Sequence, residues 1–186
     1  MSGNHCRRLF SVALAGTLAM GWAVGSAWVQ GAEKAKLLCE LPDEWNTPDG
    51  MTLLASGEII LSVPNFNDKS SPPVLAKITN ENKPELFYKL PGHPKTGRAG
   101  PMGICVAPSG DLYLADNQIF HDPDGKPLLF GQSRLVRIAV KEGKPLQTVP
   151  VVTGFNVSNA VVVHGGCVYV TETFDKPYTM SVIKLD

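Results

Sequence analysis

The amino-acid sequence predicts an all-β fold, a β-propeller of about three four-stranded blades, and three observations carry that prediction. A strand–turn–strand signature recurs at near-constant spacing, each recurrence is followed by further strand-like runs, and no segment beyond residue 32 holds a sustained helical period. The signature is clearest in "GPMGICVAPSGDLYLADN", which begins at Gly100. There an apolar run over 104–107 meets the turn Pro108-Ser109-Gly110 and resumes over 112–115. Moving back 53 residues brings "TPDGMTLLASGEIILSVPN" onto it, with Pro48 on Pro101, Gly50 on Gly103 and Gly57 on Gly110. Moving forward 57 brings "VSNAVVVHGGCVYVTET" onto it, with Ala160 at the glycine position and one residue lost from the turn. Repeats near 50 residues indicate propellers or solenoids, and units of four strands select the propeller.

Residues 1–32 stand apart from the repeats. Arg7-Arg8 precede an uncharged apolar core, and small residues follow, so the stretch reads as a secretory signal peptide cleaved after Ala27 or Ala32. The uncharged run over 9–30 is also long enough for an uncleaved anchor helix. Both readings export the rest of the chain and place it as secreted or periplasmic. The mature domain is then 33–186, with 15 basic and 17 acidic residues spread evenly along it. No basic patch suggests nucleic acid, and no second apolar stretch suggests a membrane once the signal is removed. Cys39, Cys105 and Cys167 are an odd set without CxxC spacing, which excludes a disulfide framework and reads as structural thiols.

The strands follow in order. After the first hairpin come "VLAKIT" (74–79) and "ELFYKL" (85–90), and after the second "SRLVRIAV" (133–140) and "LQTVPVV" (146–152). After the third comes only "MSVIKLD", so the last unit lacks its fourth strand. Glycines and prolines fall between these runs, as an all-β chain requires. About 154 residues at this period give just under three blades, whereas a closed propeller typically has four to eight. An open fan leaves raw sheet edges, so the remaining blades are expected from further C-terminal sequence, or closure comes by association. Insertions follow the second strand of each of the first two units, over 64–73 and 117–132. His121, Asp122 and Asp124 beside Gly125 resemble a calcium loop, but the terminal Glu of that pattern is missing and Asp-Pro-Asp-Gly is also a plain turn.

The hairpins "PDGMTLLASGEIILSV", "GPMGICVAPSGDLYLADNQ" and "SNAVVVHGGCVYVTET" resemble those of the senescence-marker-protein/gluconolactonase-like six-bladed propellers, relatives of the strictosidine-synthase-like and paraoxonase proteins. The resemblance covers 41–186, the N-terminal part of such a propeller. It implies a hydrolase of lactones or related esters using one divalent cation, often calcium, in the central tunnel. The implied metal ligands are Asp49, in Pro48-Asp49-Gly50-Met51, and Asn159, in Ser158-Asn159-Ala160. Two departures stand against it: Pro48 sits where the family's first-blade glutamate belongs, and Met102 holds a ligand-type position in the second unit. Asp49 and Asn159 are also ordinary turn residues. Asp116, Asn117 and Glu172 end the second strands, where they either face the tunnel mouth or hydrogen-bond the neighbouring loop. His93 and His121 lie on loops as candidate acids or bases, and His164 sits in a turn. With no GxSxG elbow, a serine nucleophile is not indicated. The alternative to an enzyme is a non-catalytic propeller that binds a ligand or protein, in the manner of an NHL-like scaffold.

Overall fold

A computed structural model of the chain describes residues 34–119, 129–174 and 179–185. The signal peptide assigned to 1–32 and the turn holding His121, Asp122, Asp124 and Gly125 lie outside the described residues. Strands fill three sheets, and no helix occurs among the described residues. The first sheet is β1 (Met51–Leu53), β2 (Ile59–Val63), β3 (Val74–Ile78) and β4 (Pro84–Lys89). The second is β5 (Pro101–Val106), β6 (Leu112–Asp116), β7 (Ser133–Lys141) and β8 (Lys144–Phe155). The third is β9 (Ser158–His164), β10 (Cys167–Glu172) and β11 (Thr179–Lys184). Each sheet is an antiparallel meander in chain order, so the chain forms successive propeller blades of four, four and three strands.

The repeat spacing is a register in space. Met51 lies opposite Leu61, Ile104 opposite Leu114 and Val161 opposite Val170, so these three residues sit at equivalent places on the first strands of their blades. One element is longer than its sequence signal. The predicted run over 146–152 is the middle of β8, which pairs with β7 from Lys144 to Phe155. The two strands turn at Glu142-Gly143, whose φ values of 52° and 72° make the left-handed pair that matches strand twist in a two-residue hairpin. A glutamate in that conformation is not a usual turn signal, and so the sequence marks the two strands but not how tightly they turn.

Side-chain alternation makes each blade two-faced, and the forward face of one blade packs on the rear face of the next. Ile60 and Leu75 of the first blade meet Ile104, Leu112, Leu114, Val136 and Ile138 of the second. Tyr113, Leu135 and Phe155 on the second blade's other face meet Val168 and Val170 of the third. Fully buried aliphatic side chains of this kind contribute roughly 1.5–3 kcal/mol each, so the two inter-blade layers are the core. Behind the first blade, Leu41 and Trp45 lie against Leu61, Val63, Val74 and Ala76. The outermost faces stay open: Met51 and Leu53 are each 64% exposed, and Val162 and Val182 each 54%.

Polar groups repeat as well. Glu58 pairs with Lys77 at 2.9 Å in the first blade, and Asp111 with Arg137 at 2.6 Å at the corresponding place in the second. Arg98 fixes the 64–73 insertion by donating to the carbonyls of Lys69 (2.8 Å), Ser71 (2.7 Å) and Asn65 (3.0 Å).

The three described cysteines are free and half-buried. Burial pushes the Cys105 thiol up to about 11, which leaves it almost wholly protonated at pH 8. Native-state alkylation followed by peptide mapping should therefore modify Cys105 at least about tenfold more slowly than Cys39. Equal rates would show that the inter-blade layer around Cys105 opens readily.

Candidate functional site

The candidate ligands lie on or just before the first strand of each blade, and what sets their spacing is the absence of a side chain. A Cβ added to Gly50 would lie 2.7 Å from the Met102 carbonyl oxygen and 2.8 Å from the Cα of Gly103. One added to Gly103 would strike the Asn159 carbonyl and lie 2.8 Å from the Cα of Ala160. Gly50, Gly103 and Ala160 thus abut in series, and the residues just before them, Asp49, Met102 and Asn159, occupy one level of the three inner strands. Ser62 locks this level. Its hydroxyl accepts from the Gly50 N–H at 2.9 Å and lies 2.6 Å from the Met102 carbonyl, which accepts its proton. Ser62 is fully buried, and the only sequence signal for it is a hydroxyl within the apolar run "IILSV".

Neither the Asp49 carboxylate nor the Asn159 amide has a hydrogen-bond partner among the described residues, so both oxygens remain available. Asp49 is exposed and Asn159 half-buried. Protein on one side of Asp49 withdraws water from its carboxyl and raises its pKa above the usual value. Two oxygen donors suit a hard cation in kind, but Met102 between them offers only a thioether. No group of three or more His, Cys, Asp or Glu side chains that could hold a metal occurs among the described residues. The set therefore fits such an ion in chemistry and falls short in number.

Asp116, Asn117 and Glu172 act on loops. Asp116, 1% exposed, accepts from the Gly100 N–H (2.6 Å), Gln118 Nε2 (2.7 Å) and Arg134 Nε (2.6 Å). Glu172 accepts from the N–H groups of Asn156 (2.9 Å) and Val157 (2.5 Å). Gly100 and Val157 are the residues leading into β5 and β9, so each carboxylate ends its blade's second strand by capping the entry to that blade's first. In the first blade an amide beyond the end of β2 ties the segment leading to β1: Asn65 Oδ1 accepts from the Asn46 N–H at 2.8 Å. Asn117 Oδ1 accepts from the Ile119 N–H at 2.9 Å, while its Nδ2 is buried without a partner among the described residues.

The histidines separate. His164 ends β9 in an exposed position. His93 is buried, and its Nδ1 accepts from the Lys95 N–H at 3.2 Å. Burial, followed by the nearby Arg134 cation, lowers its pKa and holds the ring neutral. His121 lies outside the described residues.

Stacked four-stranded meanders around a line of close-packed inner strands define a β-propeller, and solved structures agree. The chain matches the PQQ-bound aldose sugar dehydrogenase of Streptomyces coelicolor at TM-score 0.50 and 16% identity, over 71% of this chain and 40% of that one. It matches a gluconolactonase of Xanthomonas campestris at TM-score 0.50 and 12% identity, over 75% of this chain and 47% of that one. At such identities the likeness concerns the fold, and the chain spans less than half the length of these two proteins. No protein-family model matches the chain, and no curated protein matches it by sequence.

Proposed function

We propose that this chain is part of a gluconolactonase-like hydrolase of lactones or related esters, exported to a secreted or periplasmic location. In this reading Asp49 and Asn159 contribute to a divalent-cation site, with calcium as the ion. The observation that carries it is the shared level of the two residues at the inner edges of the first and third blades, both with oxygens unpartnered among the described residues. The fold of the Xanthomonas gluconolactonase supports the same reading. Ionised Asp49 would supply charge and neutral Asn159 a carbonyl dipole, each held in place by the backbone bonds of its inner strand. When bound, the cation would polarise the lactone carbonyl and lower the pKa of a water. The remaining ligands would come from further blades, docked on the apolar faces at Met51 and Leu53 and at Val162 and Val182.

Calorimetric titration of calcium into the protein tests this. With so few oxygen ligands we expect a dissociation constant no tighter than about 10⁻⁴–10⁻³ M, weakened at least about tenfold by Asp49→Asn and less by Asn159→Ala. Asp49→Asn should not destabilise the fold. A carboxyl with a raised folded pKa contributes stability only below its unfolded pKa and loses it as pH rises through the folded value, so at neutral pH its removal is neutral or slightly favourable. Binding that survives both substitutions would place the site elsewhere. The second reading, a non-catalytic binding propeller, is favoured by Met102 on the ligand level, and absence of calcium binding in the wild type would select it.

A further inference from the structure

We infer that a cavity of about 320 Å³ beside β7 and β8 is a binding site for a small oxyanion, a carboxylate or phosphate group, held by Arg134 and Lys95. The inference is independent of the lactonase reading. Among the described residues lining the cavity are His93, Lys95, Gln132, Arg134 and Thr153, and none of these described lining residues is acidic.

Arg134 carries the argument. Its side chain is only 9% exposed, so it is a cation more than nine-tenths removed from water. A guanidinium presents five N–H donors, and among the described residues only Nε is engaged, on Asp116 Oδ2 at 2.6 Å. The two terminal nitrogens have no acceptor among the described residues, and Arg134 lines the cavity. Donors of this kind, held in a planar fork, match the two oxygens of a carboxylate or phosphate.

The surroundings favour an anion. Asp116 offsets the Arg134 charge, but its oxygens are already taken by Gly100, Gln118 and Arg134 and it does not line the cavity. Lys95 adds a second cation at the cavity wall, and its backbone is fixed by its N–H bond to His93 Nδ1. His93 Nδ1 holds the Lys95 N–H, and so His93 acts as a positioning residue for the Lys95 loop. Thr153 supplies a hydroxyl from β8.

Inorganic phosphate and acetate, titrated separately into the protein by calorimetry at low ionic strength, test the assignment. We expect one-to-one binding of at least one of them. Lys95→Ala should weaken it by roughly three- to tenfold, and Lys95→Glu, at an exposed position that tolerates the change, should abolish it. Arg134→Lys should weaken it by at least about tenfold, because an ammonium cannot reproduce the fork. Preference for phosphate identifies a phosphate ester as the ligand, and equal or better binding of acetate identifies a carboxylate. If Arg134→Lys does not fold, the two Lys95 variants decide. Absence of binding by either anion, or binding unchanged in Lys95→Glu, overturns the proposal.

Discussion

Gly103→Val is expected to destabilise the chain by about 3 kcal/mol or more, seen as a large fall in the urea midpoint of unfolding. The cause is backbone against backbone. A Cβ at 103 meets the Asn159 carbonyl, the Cα of Ala160 at 2.8 Å and the Val161 nitrogen at 3.0 Å, none of which can rotate away. Relief requires the second and third blades to move apart, which opens the layer formed by Tyr113, Leu135, Phe155, Val168 and Val170. Gly110→Ala is the control. Gly110 has φ +89° but open space around it, so its substitution carries only backbone strain, roughly 1–2 kcal/mol. Similar losses at the two positions would mean that the inner strands are not in close contact.

Asp116→Ala should cost about 3–5 kcal/mol, because it strands the Arg134 guanidinium in the interior and leaves the Gly100 N–H and Gln118 amide without an acceptor. The double substitution Asp116→Ala with Arg134→Leu should recover part of that loss, since an apolar side chain at 134 removes the orphaned charge. A double-mutant cycle on the urea midpoints measures the coupling. Strict additivity would show that the pair is electrostatically independent. Glu172→Ala makes a useful comparison: it uncaps two backbone N–H groups but abandons no arginine, so its effect should be smaller.

The carboxylates illustrate where sequence reasoning stopped. Asp116 and Glu172 were recognised as equivalent, yet a tunnel-mouth ligand and a loop cap leave the same trace, an acid at the end of a second strand. Only the positions of Gly100 and Val157 in space separate the two roles. Ser62, Arg98 and Arg134 left weaker traces still. Each is a polar residue whose side-chain partners lie 12 or more residues away, and no local pattern encodes such a distance. The strands of the β7–β8 hairpin are legible, but its two-residue turn is not, because the left-handed turn uses a glutamate where asparagine or aspartate is usual.

The sequence by itself determined the repeat, and with it the blades. Alternation of apolar residues, turns rich in glycine and a period of 53 to 57 residues are local or periodic properties, legible without coordinates. It also marked Gly50 and Gly103 as equivalent, although not why they are glycines. That reason is tertiary: each glycine lies where the backbone of the next blade passes within contact distance. The tertiary structure likewise decided that Asp49, Met102 and Asn159 share one level, that Asp116 is occupied with Arg134, and that Arg134 lines a cavity. Side-chain chemistry is written residue by residue, but which groups become neighbours depends on how whole sheets stack. Stacking is driven by the summed burial of both faces of each blade, a quantity that no single residue carries.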